Sequence, residues 1–226
     1  MNETLGLVMF PGLGADERLI EPQRALGIPI EVPCWIDPLP REPLVSYAAR
    51  LAATIRTPQP YFIAGISFGG PIALEIARHA HPRGVILISS CRSRRGISRF
   101  LRFMARGTRI TPLAVFRALK SMPMFGRRMF GTITPEQAAV FDAMLADTPA
   151  VRLKWSIAAL MKWSGSAVTL DCPIHHIHGE CDRILPVRYG QPDRVIAGAG
   201  HLLNLTHADQ VNQYIREICS GVTVRR

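Results

Sequence analysis

The residues Gly65-Ile66-Ser67-Phe68-Gly69-Gly70 follow an apolar run beginning at Tyr61 that reads as a buried strand. They lead into Pro71 to His81, a segment with Ile72, Ile76 and Ala77 on one helical face. A strand that turns abruptly into a helix leaves no room for side chains two positions before and after the central residue, so glycine at 65 and 69 is a steric requirement. The same turn lifts the Ser67 hydroxyl clear of the backbone at the C-terminal edge of a sheet. Pro71 is tolerated because it falls in the first helical turn, where its missing N–H is not needed. The competing reading is a glycine turn with an ordinary capping serine, and the rest of the chain has to decide between them.

Short apolar runs recur around this turn. Leu5 to Phe10, Ile28 to Val32, Gly84 to Ser89, Pro173 to His178 and Arg194 to Ala197 read as further strands. Between them, Glu17 to Leu26, Leu44 to Ile55 and Ala208 to Cys219 carry apolar residues at helical spacing. Strands alternating with helices imply a mainly parallel sheet covered on both faces. With 226 residues, 48% of them hydrophobic, the chain can bury one substantial core.

The interval from Arg92 to Ser164 breaks the alternation: Ile97 to Arg106, Pro112 to Lys120, Pro135 to Ala146 and Val151 to Trp163 are all helix-like. It also holds the chain's charge. Of a net +10, the stretch from Arg92 to Lys162 supplies fourteen Lys and Arg against Glu136, Asp142 and Asp147, and the remainder is close to neutral. We expect an inserted helical cap at 92–164 on a core of 1–91 and 165–226. Its Phe100, Phe103, Met104, Phe116, Met122, Met124, Phe125, Met129 and Phe130 are interspersed with the arginines. Two readings fit: a helical layer with a solvated basic face, or an apolar acyl pocket with a basic rim that suits an anionic substrate or rests on anionic lipid. No recognition motif accompanies the charge, so nucleic acid is not an expected partner.

No apolar stretch approaches the roughly 20 residues needed to cross a bilayer. The first residues lack a signal peptide's basic segment, so the expected location is cytoplasmic. Cys34, Cys91, Cys172, Cys181 and Cys219 form no C-x-x-C pair and are odd in number, and free thiols are expected. His175, His176 and His178 invite a metal reading. Alternation along a strand sends His176 to one face and its neighbours to the other, and no carboxylate or cysteine spacing completes a metal site.

A serine nucleophile needs a base, and the base needs an orienting acid. After the strand ending at His178, the loop Gly179-Glu180-Cys181-Asp182-Arg183-Ile184-Leu185-Pro186 puts Asp182 at a strand's C-terminal end, with Glu180 two residues away and Asp193 as a weaker rival. After the next strand comes Gly198-Ala199-Gly200-His201, whose glycines let the histidine swing over the sheet edge. These three elements together resemble the α/β-hydrolase superfamily, in which nucleophile, acid and histidine follow in that order. The loop Phe10-Pro11-Gly12-Leu13-Gly14-Ala15-Asp16 stands where that family has its oxyanion loop.

The resemblance implies a three-layer α/β-hydrolase fold lacking the usual two N-terminal strands. The short interval between Asp182 and His201 suggests that the helix normally lying there shrinks to a turn near Pro186 to Gly190. It also implies Ser67 as nucleophile, His201 as base, Asp182 as acid, and the Leu13 and Phe68 N–H groups as oxyanion hole, with no cofactor and no metal. Hydrolysis of an ester, thioester or related small-molecule acyl substrate is the expected activity. Acyl transfer or carbon–carbon cleavage by the same residues, and ligand binding without catalysis, remain open at this point.

Overall fold

The computed structural model describes residues 5–120, 130, 133–165 and 170–221. Strand β1 (Gly6–Phe10) is buried along its whole length, as are β3 (Tyr61–Ile66) and β4 (Val85–Ile88). With β2 (Ile30–Glu31), β5 (Ile174–Gly179) and β6 (Arg194–Ile196) they form one sheet in the order β2-β1-β3-β4-β5-β6. Every neighbouring pair is parallel. All six lie where short runs predict them; the reason is plainest for β1, β3 and β4, since a parallel strand covered on both faces must be apolar on both, whereas the edge strands β2 and β6 are only partly buried.

Period-two alternation divides the core. Leu7, Met9, Ile66 and Ile86 face Leu19, Leu203, Val211 and Tyr214 on one side of the sheet, while Val8, Phe10, Ile63 and Leu87 face Tyr47, Leu51 and Ile72 on the other. The second face is covered by α1 (Leu44–Ala52) and α2 (Gly69–Ala80). The first is covered by the segment Glu17–Leu26, by α7 (Leu203–Thr206) and by α8 (Ala208–Cys219). The result is a three-layer α/β sandwich.

Two elements differ from expectation. Glu17–Leu26 is a ten-residue 3-10 stretch rather than an α-helix, with Pro22 inside it; a proline there has no N–H to give to the carbonyl four residues back. The four-residue helix α7, immediately after His201, has no sequence signature, being shorter than any periodicity can reveal. The connection between β5 and β6 holds only the 3-10 turn Val187–Tyr189, as the short interval implies.

Between β4 and β5 the chain forms α3 (Arg99–Arg106), α4 (Leu113–Lys120), α5 (Pro135–Asp147) and α6 (Ala150–Lys162). Helix α5 starts at a reciprocal cap in which the Thr134 side chain accepts from the Gln137 N–H and Gln137 accepts from the Thr134 N–H. Helix α6 is tied to the core at two tryptophans: Trp155 Nε1 donates to the Glu42 carbonyl at 2.8 Å, and just past its end Trp163 Nε1 donates to the buried Glu75 carboxylate at 2.6 Å. Of the apolar residues expected to line a pocket in this interval, Phe116 is buried and Phe130 packs edge-on to Phe141, but Phe103 is 65% exposed. Met122, Met124, Phe125 and Met129, and the side chains of Phe100 and Met104, lie outside the described residues. Among the described residues no helix is long and apolar enough to cross a membrane.

Candidate active site

The turn at Ser67 is under the steric pressure that its sequence announces. Ser67 has φ +51°, a left-handed conformation that costs a residue with a side chain. A Cβ on Gly65 would stand 2.3 Å from the Gly69 carbonyl oxygen, and one on Gly69 would stand 2.1 Å from the Phe10 carbonyl oxygen. The strained backbone is held from both sides: the Ser67 N–H donates to the Ile88 carbonyl at 3.0 Å, and Ser90 Oγ donates to the Ser67 carbonyl at 2.7 Å.

This turn puts Ser67 Oγ 2.9 Å from His201 Nε2, and His201 Nδ1 lies 2.7 Å from Asp182 Oδ2. Residues 67, 182 and 201 arrive from the ends of β3, β5 and β6, all at the same edge of the sheet, where open α/β sheets hold their ligands. The loop carrying His201 is seated by its own N–H, which donates to the Phe130 carbonyl at 3.2 Å, and the Phe130 ring stacks against the imidazole with centroids 6.0 Å apart.

Asp182 is 4% exposed and is met by three hydrogen-bond donors and the edge of a second imidazole. The N–H groups of Ile184 and Leu185 reach Oδ1 at 2.8 and 2.9 Å, while His201 Nδ1 and His178 Nε2 approach Oδ2 at 2.7 and 3.1 Å. Burial by itself raises a carboxyl pKa, but here the charge of His201 and these hydrogen bonds outweigh it and hold Asp182 well below the ordinary carboxylate range. The other two acids face elsewhere. Glu180 accepts from the Gly198 N–H at 3.0 Å, and Asp193 takes the His176 N–H at 2.8 Å and pairs with Arg92 at 3.2 Å.

The separation of histidines expected from alternation needs correcting, because residues two apart on a strand share a side. His176 Nε2 lies 3.1 Å from His178 Nδ1, and His178 Nε2 lies 2.6 Å from the Leu185 carbonyl. That carbonyl and Asp182 can only accept, so Nε2 carries the His178 proton and Nδ1 receives the hydrogen bond from His176. Burial pushes the His176 pKa down to about 3, in keeping with a neutral ring whose Nδ1 has no partner. Among the described residues no group of three His, Cys, Asp or Glu could hold a metal ion, and all five cysteines are free.

Across from the histidine, Gly12 backs onto Ser67, with its Cβ position 3.5 Å from the serine Cβ. The N–H groups of Leu13 and Phe68 have no backbone partner among the described residues. Behind them stands an aromatic group that sequence reasoning missed: Trp35 sits 6.1 Å from Phe10 and 6.0 Å from Phe68, and Trp155 meets Phe68 edge-on at 6.3 Å. Trp35 Nε1 donates to the Ala15 carbonyl at 2.9 Å and so pins the glycine loop.

A parallel α/β sandwich with a serine on a strained strand-to-helix turn defines a class, and the comparisons agree with it. The sequence model of the alpha/beta hydrolase family matches residues 7–214, and the chain belongs to that family. Comparison with curated proteins gave no match. Among solved structures, an esterase from Exiguobacterium antarcticum is similar at a TM-score of 0.73 and 14% identity, over 96% of this chain and 92% of that one. A thermophilic esterase from Thermogutta terrifontis is similar at 0.70 and 18%, over 96% and 90%. An enol-lactonase from Burkholderia xenovorans LB400 is similar at 0.72 and 16%, over 97% and 92%.

Proposed function

We propose that this protein is a serine hydrolase that cleaves a carboxylic ester, thioester or related carbonyl compound through an acyl-enzyme on Ser67. The observation that carries the reading is the continuous hydrogen-bonded path from Ser67 Oγ through His201 to Asp182, at 2.9 and 2.7 Å. Ser67 donates its proton to His201 Nε2 as Oγ attacks the carbonyl, and His201 returns that proton to the leaving group. Water, deprotonated by the same histidine, then releases the acid and regenerates Ser67. Asp182 fixes the Nδ1–H tautomer and stabilises the imidazolium, and the Leu13 and Phe68 N–H groups hold the developing oxyanion.

Residues 92–164 act as a cap on a core of 1–91 and 165–226; the approach of α6 to the glycine loop supports this division. The similarity to two esterases and a lactonase is consistent with carbonyl hydrolysis. The basic stretch 92–120 is read as a contact for anionic membrane surfaces, since exposed apolar side chains accompany its arginines.

A fluorophosphonate serine probe tests the assignment. Labelling of the wild-type protein that disappears in Ser67→Ala is the expected result. An unlabelled wild-type protein, or a labelled Ser67→Ala variant, would overturn it.

A further inference from the structure

Arg152 and Ser156 stand one turn apart on α6 and line a narrow cleft with Gly12, Leu13 and Phe68, the residues that flank Ser67. Neither side chain has a hydrogen bond or ion pair to a described residue. For a guanidinium turned toward a protein wall this is unusual, because buried or half-buried charge is ordinarily paired. The acids that could have neutralised it are committed. Arg18 holds Asp16 at 2.5 Å and Asp147 at 2.6 Å. Hydrogen bonding to Arg18 is what chiefly keeps the Asp16 carboxyl below its ordinary pKa, and Arg152 adds only a weaker pull from further away.

The position is unfavourable for a cation in a second way. Arg152 lies in the first turn of α6, at the positive end of the helix dipole, where acidic residues are preferred and none is present. The cap residue, Pro149, contributes no side-chain hydrogen bond. Ser156 is 5% exposed and its hydroxyl has no acceptor among the described residues, whereas the neighbouring Thr148 Oγ1 already donates to the Met144 carbonyl at 3.0 Å. The protein thus concentrates positive potential and an unused donor at one wall of the cleft, and the carboxylate that Arg152 feels, Asp16, is already paired with Arg18.

We propose that Arg152 and Ser156 form a subsite for an oxyanionic group on the substrate, a carboxylate or phosphate carried near the scissile carbonyl, so that the substrates are acidic esters or thioesters. This rests on the serine-hydrolase reading. The guanidinium supplies a charge-assisted pair and the hydroxyl a further hydrogen bond. Trp35 and Leu153 supply apolar walls for the carbon chain between the two ends.

The test measures kcat/KM for two ester pairs, one with a carboxylate on the acyl part and one with it on the alcohol part, each against a neutral ester of equal length. Wild type is compared with Arg152→Gln and Arg152→Lys. The expected result is a preference for the acid member of one pair that falls roughly tenfold to a hundredfold in Arg152→Gln and recovers in part in Arg152→Lys. If Arg152→Gln changes neither ratio while esters are still hydrolysed, the subsite is wrong and the serine reading stands. If no ester is hydrolysed, the serine reading is wrong, and calorimetry with glutarate and with inorganic phosphate decides the subsite alone. Saturable binding of either, lost in Arg152→Gln, supports it and tells carboxylate from phosphate; absence of binding overturns it.

Discussion

His178 Nε2 lies 3.1 Å from Asp182 Oδ2, the same oxygen that His201 Nδ1 reaches at 2.7 Å. The acid is therefore gripped from behind by a second imidazole, itself fixed by His176 and the Leu185 carbonyl. Replacing His178 by Phe keeps most of the ring volume but leaves the Leu185 carbonyl and part of the carboxylate unsatisfied. We expect a loss of stability of about 1–3 kcal/mol and a fall in kcat of about tenfold with KM little changed. Denaturant titration and steady-state kinetics measure both. A purely structural role for His178 would lower stability and leave kcat at the wild-type value.

Asp182→Asn preserves the shape of the acid but offers His201 Nδ1 either a donor or a weaker, neutral acceptor. The fold should persist, since the Ile184 and Leu185 N–H groups at 2.8 and 2.9 Å can still meet an amide oxygen. Turnover should fall on the order of 10³- to 10⁴-fold through the wrong histidine tautomer. Near-normal turnover would move the acid role away from Asp182, despite Glu180 being turned toward Gly198.

Stability should decline on acidification in two overlapping windows. His176, with a folded pKa of about 3 against an ordinary 6.5, binds its proton more readily when unfolded. Its contribution is complete above pH 6.5 and is lost as the pH falls from there toward 3, about 2 kcal/mol between pH 7 and pH 5. Asp182 is also lowered, so its contribution begins to fade near its ordinary value of 3.8 and continues to decline below it. Urea midpoints for wild type and His176→Asn across pH 7 to 5 measure the first window. The variant should show a visibly flatter decline, and equal slopes would show that His176 is not responsible.

The serine turn trades stability for geometry. Ser67→Gly removes the side chain at φ +51° and should stabilise the fold by about 1 kcal/mol while abolishing turnover. Ser67→Ala keeps a Cβ in the same strained conformation and should be inactive without that gain. Thermal unfolding of the pair separates strain from chemistry. Equal midpoints would mean that the surrounding hydrogen bonds relieve the strain at no cost.

The strands and the serine turn were legible in the sequence because each follows from a local steric or burial rule. Gly65 and Gly69 are required by carbonyls 2.3 and 2.1 Å from their missing side chains. The choice of Asp182 over Glu180 rested on strand-end spacing, and only the direction of each side chain distinguishes them in space. His178 was visible, yet nothing local says that a residue four positions before the acid meets its carboxylate. Arg152 was one of fourteen basic residues in its interval. Which of them turns inward depends on how α6 docks, and that is settled by Trp155 and Trp163 finding acceptors on distant segments.

From Arg92 to Lys120 the chain has nine basic residues and no acid, and of these Arg92 reaches across to Asp193. Helix α3 carries Arg99, Arg102 and Arg106, and beside them Phe103 is 65% and Ile110 88% exposed. Exposed apolar side chains among arginines suit an anionic lipid surface, where each cation contributes about 1 kcal/mol and the apolar groups enter the headgroup layer. The protein should sediment with vesicles containing phosphatidylglycerol at low salt, be largely released by about 0.5 M NaCl as the Debye length shrinks, and ignore vesicles of phosphatidylcholine alone. Changing Arg99, Arg102 and Arg106 together to Glu should abolish binding. Phe103→Ser with Ile110→Ser should weaken it several-fold while keeping its salt sensitivity. Binding to duplex DNA with no binding to vesicles would reassign the surface to nucleic acid, for which the exposed Phe103 and Ile110 offer no use.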